Sequence, residues 1–291
     1  NMKKISIFIF VIAMIGSLNA QKLEVLTSFT ILADIAKNVA KDSANVNSLT
    51  KMGTEIHGYE ATPKDILKAK KADIILYNGL NLELWMDKFL SNAKKPSYNL
   101  SDGVTPIFIS DGGYKGKPNP HAWMSIKNVQ IYIKNIVEIF SRHDPKNADI
   151  YAKNADEYIK ILNDLDSKFK AEFAKVPLEQ RYLITSEGAF SYLTKEYDLK
   201  ELYIWSVNSD EQGTTKQIKN LVDKIKNSEA KVIFSESTIS PKPAMTIANE
   251  SGIRYGGVLY VDSLSKEIPT YVDLMKTTVS TIINGLNNEK N

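Results

Sequence analysis

The chain has 291 residues, 43% of them apolar and 24% charged, with 37 Lys+Arg against 34 Asp+Glu and a formal net charge of +3. Those values describe a globular protein of one large or two modest domains. Positive charge is almost all Lys, with Arg only at Arg142, Arg181 and Arg254, so no nucleic-acid partner is expected. Cysteine is absent, which excludes a disulfide framework and any thiolate metal site.

The N-terminus reads as a secretory leader. Lys3 and Lys4 precede an apolar stretch over residues 5–15, too short for a permanent membrane span, and Ala20 offers a cleavage point before Gln21. Residues 1–20 are therefore expected to be a cleaved signal peptide. No Cys follows the apolar stretch, so a periplasmic protein without a lipid anchor is expected.

From residue 21 on, strand and helix signals alternate. Strands are expected at 23–29 and 46–52, with a loop between Gly53 and Gly58 that holds His57. A helix opens at Pro63, a strand covers 72–77, a helix 82–90 and a short strand 97–100. A Gly/Pro-rich loop over 112–120 leads to His121, and helical spacing returns over 126–140. Asp144-Pro145 then opens the longest helical pattern of the chain. Tyr151, Ala155, Tyr158, Leu162, Leu165, Phe169 and Phe173 recur at intervals of three and four, and Pro177 ends the run. Beyond it, strands at 181–185, 199–205, 231–235 and 254–261 alternate with helices to about 197 and at 216–226, 241–250 and 270–286. Strand–helix alternation implies parallel βαβ units. The expected architecture is α/β, with two lobes, each a parallel sheet flanked by helices, joined by one long spanning helix. The first lobe is placed at 21–143, the linker helix at 144–176 and the second lobe at 177–291.

Four residues have the chemistry and position for a metal site. Of the three histidines, His57 and His121 sit in loops beside Gly or Pro, whereas His143 adjoins a helix start and reads as an exposed surface residue. Glu187 and Asp262 directly follow strands of the second lobe, where ligands bind in open α/β sheets. Each carboxylate could equally cap a helix or form a turn. Two imidazoles and two carboxylates would balance a divalent cation and offer up to six ligand atoms, which suits manganese better than a His- or Cys-rich zinc cage.

The segments Glu55-Ile-His-Gly-Tyr-Glu-Ala-Thr-Pro63, Asn119-Pro-His-Ala-Trp-Met-Ser125, Thr185-Ser-Glu-Gly-Ala-Phe190 and Tyr255-Gly-Gly-Val-Leu-Tyr-Val-Asp-Ser-Leu264 resemble four motifs of metal-binding solute-binding proteins. These serve ATP-binding-cassette importers of manganese, zinc and iron. The resemblance spans the mature chain, including Ile233-Phe-Ser-Glu-Ser237. It implies metal ligands at His57, His121, Glu187 and Asp262, and a long helix between two lobes. Zinc-dedicated members usually carry His at the position of Glu187 and often a His-rich loop, both absent here, and Gln212-Gly213-Thr214 resembles the manganese/iron branch. The resemblance implies a monomeric periplasmic carrier, not an enzyme, that captures Mn2+ (Zn2+ or Fe2+ as alternatives) and hands it to an ABC-transporter membrane permease. The rival readings are a metal-dependent hydrolase, which would need an open metal position and a general base, and a surface adhesin, which would not depend on metal. A stiff spanning helix implies small motion on metal release, centred on the loop at Asp262.

Overall fold

The computed structural model describes residues 21–209 and 212–287. The expected leader at 1–20 lies outside them. The first half runs β1 (Leu23–Thr27), α1 (Thr30–Ala40), β2 (Ala44–Ser48), α2 (Pro63–Lys71), β3 (Ile74–Tyr77), α3 (Met86–Ala93), β4 (Ser97–Asn99) and α4 (Ile126–His143). Its strands form one parallel sheet in the order β2-β1-β3-β4, with Val25 opposite both Val46 and Ile74. Val25, Leu26, Ile74, Ile75 and Leu76 are all buried, as in a parallel sheet covered on both faces. At the edge, β2 alternates, with Ala44 and Val46 inward and Asn45 and Asn47 exposed. Ala44 therefore starts this strand, and the apolar Leu49 and Met52 that suggested a later one lie beyond it. The expected helix at 82–90 begins instead at Met86, because Gly79, Leu80 and Asn81 all take left-handed φ and turn the chain first.

The long helix is α5 (Ala148–Ala174), 27 residues or about 40 Å. It starts later than Asp144-Pro145 suggested. α4 continues to His143, and Pro145–Asn147 form a 3-10 turn. The Asp144 carboxylate accepts hydrogen bonds from Asn147 Nδ2 at 2.7 Å and Tyr151 Oη at 2.6 Å. It thus pins the turn between the two helices and does not cap α5. The apolar stripe read from the sequence is buried throughout, and two polar residues join it. Asn154 Nδ2 donates to the Val39 carbonyl on α1, and the Asp166 carboxylate accepts from Tyr197 Oη. The helix is therefore fastened to both halves of the chain.

The second half runs β5 (Tyr182–Glu187), α6 (Ser191–Tyr197), β6 (Lys200–Trp205), α7 (Thr215–Lys226), β7 (Val232–Glu236), α8 (Lys242–Ser251), β8 (Arg254–Leu259) and α9 (Tyr271–Asn287). Its strands form two parallel pairs, β5-β6 and β7-β8, with β5 lying beside β7. At their carboxyl ends, the Glu236 side chain accepts the backbone N–H groups of Ser186 (3.2 Å) and Glu187 (2.8 Å). The β7–β8 register shifts between Ile233 and Ser235. There a Cβ on Gly256 would stand 2.4 Å from the Phe234 ring, so only glycine fits. The strand ends at Leu259, short of the expected 261.

One apolar cluster runs from Val25 and Ile35 through Phe140 and Phe169 to Val279 and Leu286. The contact between halves is thus part of the core. Smaller clusters around Ile184, Leu221 and Ile247 and around Leu26, Ile75 and Phe89 fill the outer sides. Among the described residues, no helix is long and apolar enough to cross a membrane.

Candidate metal centre

All four sequence-predicted residues sit at or beyond carboxyl ends of strands. His57 lies on the loop after β2. The Glu55 carboxylate closes that loop by accepting the N–H groups of His57 (2.6 Å) and Gly58 (2.7 Å). Ile56, fully buried, anchors it, and the loop ends where Thr62 and Asp65 make the capping box of α2. His121 is fully buried and precedes a 3-10 turn, Ala122–Met124. The preceding carbonyl, Pro120 O, accepts from Asn78 Nδ2 at 2.9 Å. Glu187 is the last residue of β5, where the sequence placed it just after the strand, and Asp262 lies just past β8.

The four side chains converge, and one ligand atom from each lies within 4.8 Å of all the others. His57 Nε2 and His121 Nε2 are 3.1 Å apart. Asp262 Oδ1 is 3.2 Å from His121 Nε2 and 3.8 Å from His57 Nε2, and Glu187 Oε1 is 3.8 Å from His57 Nε2. Donors bound at zinc-like distances around one tetrahedral ion stand roughly 3.4 Å apart. The observed spacings straddle that value. Asp262 Oδ1 is also buried without a hydrogen bond from any described residue, an arrangement that is costly unless a cation completes it. The group fits a divalent metal.

The imidazoles are oriented by residues that the sequence did not single out. His57 Nδ1 lies 2.7 Å from Asn208 Oδ1, and His121 Nδ1 lies 2.8 Å from Asn119 Oδ1. Both amides are oriented by their nitrogens: Asn208 Nδ2 donates to Asn81 O, and Asn119 Nδ2 to Gly188 O. An amide oxygen only accepts, so each Nδ1 carries a proton and each Nε2 is left to face the cluster. Asn208 further donates its backbone N–H toward Glu187 Oε1 at 3.4 Å, from a left-handed φ of 59°.

Charge follows the same geometry. Burial opposes a charge on His57, but Glu187 and Asp262, with Glu55 beyond them, outweigh it and push its pKa up to about 10. Burial would raise Asp262, yet the two imidazoles hold it well below the usual carboxylate range. Glu187 is raised, by burial first and then by Asp262, against the pull of His57.

His143 does not join the cluster. It is half-buried, not exposed as expected, with Nε2 2.7 Å from Tyr98 Oη. The centre opens into a cleft of about 380 Å³ whose lining includes Glu55, His57, Tyr114, Glu187 and Asn208.

Comparison with known proteins gives one consistent result. Residues 25–285 match the family model described as zinc-uptake complex component A, periplasmic. The iron-binding protein YfeA of Yersinia pestis is 50% identical over 270 residues, covering 91% of this chain and 87% of its own. The manganese ABC transporter substrate-binding lipoprotein PsaA of Streptococcus pneumoniae is 38% identical over 279 residues, covering 92% and 90%. A Mn-bound periplasmic metal binding protein from candidatus Liberibacter asiaticus superposes with a TM-score of 0.84 at 39% identity, covering 91% of this chain and all of its own. These relatives are named as transport or metal-binding components. The lipoprotein name stands against the expectation of an unanchored protein, while the periplasmic names agree with a place outside the cytoplasm.

Proposed function

The chain belongs to the family of periplasmic metal-binding components of ATP-binding-cassette importers, and from that premise we propose that it binds one divalent transition metal ion through His57, His121, Glu187 and Asp262 and delivers it to a membrane permease. The observation that carries this reading is the convergence of four donor side chains, two of them imidazoles whose Nε2 atoms are aimed inward by Asn208 and Asn119. The metal is cargo and not a catalyst. Four protein side chains, two of them carboxylates able to bind through both oxygens, offer up to six ligand atoms and can fill the shell without an open position for substrate, which separates the site from a metallohydrolase. All four donors come from one chain, so the site needs no residue from a second copy.

Manganese is the preferred cargo. Carboxylates at Glu187 and Asp262 can bind through both oxygens and supply the higher coordination number that manganese accepts, whereas zinc favours fewer, closer ligands. The iron- and manganese-named relatives support the same side of the family. Competitive titration with Mn2+ and Zn2+ on the native protein and on Glu187→His tests it. The substitution removes a negative charge and up to two hard oxygens, so it should lower manganese affinity and keep or raise zinc affinity. An unchanged or higher manganese-to-zinc ratio would remove Glu187 from the selectivity argument.

A further inference from the structure

Asp262 is encoded in the second half of the chain, but the backbone around it is held by the first. Trp123 Nε1 donates to Val261 O at 2.8 Å. Leu264 N donates to Thr30 Oγ1 at 2.9 Å, and Gly53 N donates to Leu264 O at 2.9 Å and to Ser263 Oγ at 2.8 Å. Trp123 is fully buried two residues past His121, and its ring centroid lies 5.2 Å from the His121 ring and 5.0 Å from Phe29. Its own carbonyl is fixed by Tyr271 Oη at 2.6 Å. Glu187 is mounted differently. Its N–H is bound by Glu236, and its strand pairs with β6, both in the second half.

We propose that Trp123 and Thr30 are positioning residues that fasten the Asp262 carboxylate to the first half, so that His57, His121 and Asp262 form one unit and Glu187 alone is carried by the second-half sheet. This rests on the reading of the four residues as ligands. It moves the site of change on metal release away from the Asp262 loop, where the sequence placed it, to the contact between Glu187 with Asn208 and the other three. Leaving the shell at Asp262 would break several buried hydrogen bonds to the first half. Separation at Glu187 breaks the Asn208 contacts to His57 and Asn81 and the Asn119 bonds to Gly188 O and Tyr192 Oη, none of them made to the Glu187 side chain.

The test is a double-mutant cycle read as Mn2+ affinity by chelator competition. Trp123→Phe keeps the aromatic packing and removes the donor. It should weaken binding about tenfold in the native protein and in Glu187→Gln, but less than about twofold in Asp262→Asn, where the positioned carboxylate is gone. Thr30→Val, nearly isosteric, should repeat the pattern and serves if Trp123→Phe does not fold. The same loss in all three backgrounds, or no loss in the native one, would overturn the proposal. If Asp262→Asn by itself left affinity unchanged, the ligand reading would fail instead, and the two failures are distinct.

Discussion

The two halves of the molecule build their shares of the centre by different means. The first supplies imidazoles on loops, each held by a side-chain amide oxygen on its Nδ1, from Asn119 in the same half and from Asn208 in the second. The second supplies carboxylates that are held through their backbone, Glu187 by the Glu236 side chain on β5 and Asp262 by Trp123 and Thr30 of the first half on either side of it. One oxygen of each carboxylate is left nearly bare, since Asp262 Oδ1 has no hydrogen bond from the described residues and Glu187 Oε1 has a long one. The contrast follows from the chemistry of the two groups. An imidazole offers one lone pair only in the right tautomer, so its far nitrogen must be fixed. A carboxylate has lone pairs on both oxygens, and hydrogen bonds to them would compete with the metal.

The strongest way to break this contrast is to remove a donor. His121→Ala should weaken Mn2+ binding more than about 100-fold, beyond what the loss of a supporting residue does, as read by chelator competition. Changing the pH should sharpen it on the imidazole side. Because the folded pKa of His57 is raised to about 10, metal must displace its proton, so affinity should rise roughly tenfold per pH unit between about pH 6 and 8. Asp262 titrates below that window and adds no slope. In the metal-free protein the sign is opposite. The charged His57 stabilises the fold fully below its unfolded pKa of about 6.5, and that contribution is lost as pH rises towards about 10. Isothermal titration and thermal unfolding across that range would show the two trends crossing. Asn208→Leu frees the His57 tautomer while leaving all four donors in place. It should cost about tenfold in affinity, and a change under about twofold would show that the amide does not orient the ring. The smallest effect belongs to His143→Ala, which should leave metal affinity unchanged within about twofold, because its partner is Tyr98 and not the centre.

The four candidate ligands were legible in the sequence because each sits where a periodic pattern breaks: His57 beside Gly58, His121 beside Pro120, Glu187 and Asp262 at strand ends. The stripe on α5 was legible for the opposite reason, as an unbroken period. What could not be read depends on contacts between distant residues. Asn208 follows β6 with no pattern of its own, and its role needs a left-handed backbone together with partners at Asn81 and His57. Trp123 stood inside a quoted motif, yet its bond joins residues 138 apart in sequence. Helix starts were misplaced where turns intervened, at Gly79–Asn81 and at Pro145–Asn147, since apolar spacing continues through a turn that the backbone does not.

The measurement that tests the central claim most directly is anomalous diffraction from crystals of the protein loaded with Mn2+. One peak is expected, roughly 2.0–2.3 Å from His57 Nε2, His121 Nε2 and oxygens of Glu187 and Asp262. A manganese peak elsewhere, or one at this point that leaves any of the four side chains outside bonding distance, would contradict it.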